Sequence, residues 1–254
     1  MTRRASHADV YGMSEPFAER VAGDLRTQVR SYLEDAYSAS VRRLREAPPY
    51  LRLKHGRALA SDYDALIIRI CETHLLSAHF VAFAFSLAPP EAAPSLARNL
   101  LEELGTERGQ GHPMLLNRLL AKAGLADREE AARQAGLLRL RERVMEPLFY
   151  GSLREVGLAA LVEIVGFEFM LSRMASEFAS FLREHRKLSD EALEWFTHHS
   201  EADLEHAEQG LDAVAEYAEY YQLGIQEAMD IVDSALEENI YLKRYFGARA
   251  AALG

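Results

Sequence analysis

The segment WFTHHSEADLEH, residues 195–206, combines three histidines and three carboxylates with a tryptophan and a phenylalanine. At about 100° per residue on a helix, His199 and Asp203 lie about 40° apart, and His199 and His206 about 20° apart. These three polar side chains therefore share one narrow helix face. A solvated face would explain the charges but not the aromatic rings, and a buried face would explain the rings but not the charges.

The face that carries these polar groups continues as an apolar stripe in both directions. Its further members are Ala192, Trp195, Phe196, Gly210, Ala213 and Val214, whereas His198, Glu201, Glu205 and Glu208 lie mostly off it. A lone inward histidine is usually a hydrogen-bonded core residue, but an inward aspartate between two inward histidines needs a cation. Because a first-row divalent ion would satisfy all three side chains, the stripe predicts a metal site.

The rest of the chain has the helical period, and no stretch shows sustained strand alternation. Proline, glycine and capping residues divide the sequence into segments of helical length. The predicted helices cover residues 14–47, 61–88, 95–104, 113–124, 127–144, 152–185, 190–224 and 225–245. We therefore predict one all-α domain of about seven to eight helices over residues 1–254, with a flexible tail at 1–13.

The composition excludes several classes of protein. A net charge of −10 argues against nucleic-acid binding, which needs a basic face. Cys71 is the only cysteine, so no intramolecular disulfide can form, and its apolar surroundings predict a core position. The first residues lack the apolar core of a signal peptide, and prolines end the longest apolar run before it could span a bilayer. These features predict a soluble, cytoplasmic protein.

Two further carboxylates lie on an apolar helix, GLAALVEIVGFEFMLSRM, residues 157–174. Glu163 and Glu168 both have apolar helical neighbours, so either carboxylate would be costly to bury without a cation. We expect one of the two to bind a metal and the other to pair with Arg173.

A third polar segment is NLLEELGTERGQGHPMLL, residues 99–116. Glu102 and Glu103 end one predicted helix, and His112 immediately precedes the proline that opens the next. The three glycines between them would let the chain bend so that a glutamate and His112 converge. Helical spacing does not decide which glutamate this is.

Together these segments resemble the haem-oxygenase-like diiron oxidases, a family of all-helical, non-haem iron enzymes. The resemblance is carried by NLLEELG with the following His112, by GFEFMLSRM, and by HSEADLEH, and it covers roughly residues 60 to 215. It implies a haem-oxygenase-like helical bundle. Ferritin-like diiron proteins use two Glu-x-x-His motifs instead, and thiaminase-like relatives of the fold use a catalytic cysteine.

The resemblance also implies a set of ligands for two Fe(II) ions. Carried over by position, they are Glu102, His112, Glu168, His199, Asp203 and His206. Glu103 is the alternative to Glu102, and Glu163 is the alternative to Glu168. Some members of the family add a carboxylate from an earlier helix, for which Glu72, with His74 and His79 nearby, is the candidate.

As to function, the resemblance implies an oxidase or oxygenase that activates O2 through a peroxo-diferric intermediate. The expected substrate is a small amino-acid derivative, which would undergo N-oxygenation, desaturation or oxidative C–C cleavage in the biosynthesis of a natural product. A fatty-acid oxidative decarboxylase and a metal-free small-molecule-binding protein on the same scaffold are the alternatives. Relatives suggest a homodimer and, for some reactions, an external electron donor.

Overall fold

We describe the fold from a computed structural model of the chain. It describes residues 24–106, 111–145, 152–236 and 239–251, with only the backbone described at 143–145, 201–204 and 251. Throughout these ranges the regular structure is helical, with no strand, which confirms the predicted all-α class. The predicted tail at residues 1–13 and the start of the first predicted helix lie outside the described residues.

The helices follow one another with short connections. They are α1 (Leu25–Glu46), α2 (Pro48–Lys54), α3 (Ala60–His74), α4 (Ser77–Leu87), α5 (Ala93–Glu103), α6 (His112–Lys122), α7 (Glu129–Met145), α8 (Leu153–Arg186), α9 (Glu194–Tyr220), α10 (Ile225–Ala235), α11 (Ile240–Phe246) and α12 (Ala248–Ala251), with a 3₁₀ turn at Ala126–Arg128 before α7.

The predicted helix over residues 61–88 is wrong in one respect, because the structure divides it into α3 and α4. The backbone leaves the helical region at Leu76, where φ is −116° and ψ is 21°. Leu76 is buried, and its Cδ1 lies 3.1 Å from the position that a Cβ on Gly136 of α7 would occupy. The break accompanies a tertiary contact, and no glycine or proline marks it in the sequence.

Two other predicted helices differ at their ends. The helix predicted over 190–224 begins only at Glu194, because a turn comes first in which Ser189 Oγ accepts a hydrogen bond from the Ala192 amide. The helix predicted over 225–245 is interrupted before Asn239, whose φ of 53° is left-handed. Asn239 caps α11 by accepting from the Leu242 amide, and its side chain donates to Ser40 O at 3.0 Å.

The two longest helices, α8 and α9, lie against each other and form the centre of the fold. They approach closely at Gly210, since a Cβ there would lie 2.7 Å from Val165 Cγ1. From the other side, Tyr37 of α1 donates to Val162 O at 2.6 Å, and Tyr241 of α11 donates to Gly166 O at 2.9 Å. These contacts hold α8 between three elements and position its polar residues.

Residues Ala60–Leu87 are long and apolar enough to cross a membrane by length and composition alone. Half of their most apolar window is nevertheless buried in the fold, as in the core helices of many globular proteins. The buried Cys71 belongs to this core, with its Sγ 3.9 Å from Leu116 O, which confirms its predicted position. The cytoplasmic location stays a prediction.

A partly buried ion cluster ties α1 and α2 to α8. Glu177 accepts hydrogen bonds from Tyr50 Oη at 2.5 Å and from Arg45 Nη2 at 2.6 Å. Burial raises the pKa of the Glu177 carboxyl, but the bonds from Tyr50 and Arg45 outweigh burial and bring it below the ordinary 4.5. The carboxylate therefore stabilises the fold above about pH 4.5, and this contribution is lost as the pH falls through the lower, folded-state pKa.

We expect Glu177→Gln to lower the free energy of unfolding by about 1.5 kcal/mol at pH 7, since charge-assisted hydrogen bonds are lost. At pH 3 the difference from the wild type should be smaller, because the pH has moved toward the lowered folded-state pKa and more of the wild-type carboxyl is protonated than at pH 7. Urea unfolding at both pH values measures this. Glu191→Gln is the matched control, because Glu191 pairs with Lys122 in an exposed position and should change little. An equal effect of Glu177→Gln at both pH values would contradict the assignment.

Candidate metal centre

A pocket of about 730 Å³, part of it open to solvent, lies beside the centre of α8. Its titratable lining residues are His74, Glu103, His112, Arg139, Glu163, Glu168, His199, His206 and Arg244. Apolar side chains from α4 and α8, among them Phe80, Val81, Phe167 and Leu171, complete the wall. The pocket thus gathers most of the polar residues singled out in the sequence.

Three of these residues form a buried cluster suited to a metal ion. Glu103, His112 and His199 are each at most 7% exposed, and one potential ligand atom from each lies within 4.8 Å of the other two. His112 Nδ1 is 3.0 Å from Glu103 Oε2, and the rings of His112 and His199 are 4.6 Å apart between centroids. Ser77 Oγ donates a hydrogen bond to the same Glu103 oxygen.

Glu103 and His112 meet because the chain reverses between α5 and α6. Glu103 ends α5, and Gly105 follows with a left-handed φ of 75°. Gly111 then passes so close to the end of α5 that a Cβ there would lie 3.0 Å from Glu103 O. His112 follows as the first residue of α6. The predicted bend is therefore present at these two glycines, whereas Gly109 lies outside the described residues.

His199 has a defined tautomer. Its Nδ1 lies 2.8 Å from the Trp195 carbonyl oxygen, which can only accept, so Nδ1 carries the ring proton and Nε2 keeps its lone pair. Burial, reinforced by the neighbouring His112, holds the pKa of His199 well below its ordinary value. A neutral imidazole whose other nitrogen donates to a carbonyl is the usual form of a metal ligand.

The second glutamate at the end of α5 meets a different histidine. Glu102 Oε2 lies 3.2 Å from His206 Nε2, and both side chains are less than 20% exposed. Adjacent helical residues point about 100° apart, so Glu102 and Glu103 reach partners on different helices. The sequence had offered these glutamates as alternatives, and the structure brings both to an imidazole. Asp203, between His199 and His206 on α9, has its side chain outside the described residues.

The two glutamates of α8 also line the pocket, with different partners. Glu168 accepts a hydrogen bond from the Asn99 side chain. Glu163 accepts from Arg244 Nη2 of α11 at 2.5 Å.

The predicted pairing of a glutamate with Arg173 is wrong. The Arg173 guanidinium lies 3.4 Å above the Phe169 ring and donates to Phe169 O. Arg173 is five residues from Glu168, which turns it about 140° around the helix and away from the pocket.

The predicted additional carboxylate, Glu72, lies outside the pocket lining. Arg139 donates to the Glu72 carbonyl at 2.5 Å and approaches its carboxylate at 3.4 Å. His79 is exposed, whereas His74 lines the pocket and has its Nε2 2.7 Å from Tyr245 Oη. Burial, with help from Arg139, lowers the pKa of His74 to about 3, so the ring is neutral.

Several residues of the site had no clear signal in the sequence. His198 was predicted to lie mostly off the inward stripe, yet its ring centroid lies 4.9 Å from that of His112. Arg139 and Arg244 enter from α7 and α11, where nothing in their local sequence marks them. Asn99 stands in the NLLEELG segment and could have been found there, because an amide beside a buried carboxylate is a common partner.

The sequence also matches the model of a known protein family. A family model described as "iron-containing redox enzyme" matches residues 70–237, a range that includes all six predicted ligands. A search of curated proteins gave no match to the chain.

Proposed function

Because the chain belongs to the family of iron-containing redox enzymes, we propose that it is an O2-dependent, non-haem diiron oxidase or oxygenase. The observation that carries this proposal is the buried cluster of Glu103, His112 and His199. Family membership supports an iron-dependent oxidoreductase in general. We propose in addition that the protein binds two irons, that it uses O2, and that the ligands are those assigned below.

The donor set fits iron. Imidazole nitrogens and carboxylate oxygens are suitable ligands for ferrous ions, and here they occur as two glutamate–histidine contacts, Glu103 with His112 and Glu102 with His206. A buried carboxylate is costly without a cation, and Glu103 is only 7% exposed. We assign Glu103, His112 and His199 to one iron and Glu102 and His206 to the other, with Glu168 completing the set. Asp203 is retained as a ligand from the sequence resemblance.

Two ferrous ions held here would supply electrons for the reduction of O2 and open positions at which it binds. The chain's own contribution is to orient the ligands and to exclude water. Trp195 O fixes the ring of His199, Ser77 donates to Glu103, and Asn99 donates to Glu168. Such outer contacts hold ligands in one orientation, and the contact with Trp195 O also raises the basicity of His199.

The pocket supports a small polar substrate. Arg139, Arg244 and Glu163 give it charges of both signs beside the apolar wall from α4 and α8. A guanidinium pairs well with a carboxylate, and a glutamate pairs with an ammonium group. We therefore propose an amino-acid-derived substrate that undergoes N-oxygenation, desaturation or oxidative C–C cleavage in natural-product biosynthesis. A fatty acid, the alternative, has a carboxylate that could pair with a guanidinium but no ammonium group that could contact Glu163.

Metal stoichiometry tests the proposal first. The metal-free protein, titrated anaerobically with Fe(II), should bind about two ions per chain, as in other diiron carboxylate proteins. Saturation at one iron, or a preference for a single zinc ion, would contradict the dinuclear site. Binding of no metal, together with binding of amino acids, would favour the metal-free binding protein.

Oxygen consumption by the iron-loaded protein then tests the substrate class. We expect one or more amino acids to accelerate the consumption of O2 and matched fatty acids to have no effect. Acceleration by fatty acids alone would favour the decarboxylase. The homodimer and the external electron donor stay predictions, which light scattering and a dependence of turnover on added reductant would test.

A further inference from the structure

A row of buried aromatic rings leads away from the candidate metal centre. The rings of His199 and Trp195 have centroids 4.1 Å apart, and those of Trp195 and His74 are 5.1 Å apart. The row ends at Tyr245, whose hydroxyl lies 2.7 Å from His74 Nε2. All four residues are at most 7% exposed. The proposed function uses only His199.

We propose that Trp195, His74 and Tyr245 form a redox relay, through which Tyr245 gives one electron to the iron centre when O2 has oxidised it without substrate. The inference rests on the proposed function, because the O2-oxidised iron centre is the electron acceptor. The relay removes an oxidising equivalent that would otherwise attack the ligands themselves.

The step balances within the row. Tyr245 loses one electron and its phenolic proton, so that the O–H bond breaks and a neutral tyrosyl radical remains. The proton forms a new N–H bond at His74 Nε2, which becomes part of an imidazolium ion. The electron passes through Trp195 and His199, and the iron centre is reduced by one electron.

The surroundings of the two oxidisable rings give them different roles. Trp195 Nε1 is buried and has no hydrogen-bond partner among the described residues, so an oxidised indole has no base that could take its proton. Oxidised Trp195 therefore regains its electron from Tyr245 and does not form a stable radical. Tyr245 has a base in contact, because the low pKa of His74 keeps this imidazole neutral and, in the tautomer that carries its hydrogen on Nδ1, Nε2 accepts the phenolic hydrogen. The same low pKa favours return of the proton once the electron is replaced, which makes the relay reversible.

A neighbouring tyrosine shows what the His74 contact adds. Tyr241 lies one turn before Tyr245 on α11 and is equally buried, and its ring is 5.7 Å from that of Phe167. Its hydroxyl donates to the Gly166 carbonyl at 2.9 Å, and a carbonyl oxygen is no base for a phenolic proton. Tyr241 should therefore resist oxidation and serves as the matched control.

Electron paramagnetic resonance tests the relay directly. The ferrous protein is mixed with O2 without substrate, frozen at successive times, and examined for an organic radical. We expect a tyrosyl radical in the wild type, with a spectrum that narrows when the protein contains ring-deuterated tyrosine. Tyr245→Phe should lose the signal, Trp195→Phe should reduce it, and Tyr241→Phe should keep it. Iron content and circular dichroism confirm that each variant is folded and loaded.

The outcomes separate the relay from the proposed function. Wild-type protein that binds iron and consumes O2 without forming a radical overturns the relay alone, as does a radical that persists in Tyr245→Phe. Protein that binds no iron overturns both. If Tyr245→Phe does not fold, ¹⁵N-labelled histidine in the wild type decides: coupling of the radical to one imidazole nitrogen supports the His74 contact, and its absence contradicts it.

Discussion

Glu103→Gln is expected to empty one of the two proposed iron positions and to lower O2 consumption by more than about 100-fold, since changes outside the ligand shell alone cost 10–100-fold. Glutamine has nearly the same size and can keep the hydrogen bond from Ser77. It lacks the negative charge that faces His112 at 3.0 Å. The loss would therefore report on charge and ligation, with little change in packing.

The same substitution should leave the metal-free protein as stable as the wild type or more stable, because a buried carboxylate is removed. Iron content per chain, O2 consumption and urea unfolding of the metal-free protein measure the three effects. Glu102→Gln should empty the other position, and the exposed Glu130→Gln on α7 should change nothing. Full iron content and full O2 consumption in Glu103→Gln would transfer the ligand role to Glu102 alone.

The two glutamates of α8 should respond in opposite ways to replacement by alanine. Glu163→Ala leaves Arg244, whose side chain is 21% exposed, without its carboxylate and should lower the free energy of unfolding by about 2–3 kcal/mol. Glu168→Ala should abolish O2 consumption with little loss of stability, because the Asn99 amide that it leaves behind carries no charge. Urea unfolding and an oxygen electrode distinguish the two.

A second substitution separates ligation from ion pairing. Combining Glu163→Ala with Arg244→Met should recover most of the lost stability, since no charge is left without a partner. If Glu163→Ala instead abolished O2 consumption at unchanged stability, and Glu168→Ala mainly destabilised the protein, Glu163 would be the iron ligand. Arg244 would then be a group that the metal displaces.

Much of the fold can be predicted from the local sequence pattern. The helical period and the capping residues place α8 and α9 to within a few residues, and the inward stripe of α9 is buried at Trp195 and Phe196 as predicted. The break at Leu76 is not predictable from the local sequence, because it accompanies a tertiary contact of Leu76 with Gly136 of α7 and no local residue marks it. The local sequence pattern thus predicts where helices form, whereas tertiary contacts determine where a helix is interrupted.

The candidate site is likewise only partly predictable from the sequence. The stripe of α9 and the end of α5 are marked by polar groups in apolar surroundings, and the structure brings His199 and His206 to glutamates of α5. The choice between Glu102 and Glu103 is not set by spacing, since each meets a histidine from a different helix. Glu163 pairs with Arg244, which lies 81 positions later in the chain, and a helical period in the sequence does not predict such a distant contact.

The absence of a side chain at Gly210 has a consequence for the centre as a whole. Gly210 lies one turn beyond His206 on α9, and the Val165 that fills its place lies one turn before Glu168 on α8. A methyl group at position 210 would have to push the two helices apart, and with them the histidine and the glutamate that face the pocket. The contact between Gly210 and Val165 thus allows the close approach of α8 and α9 beside the candidate metal centre. We therefore expect substitution at this pair to change the affinity for iron without changing the identity of any proposed ligand.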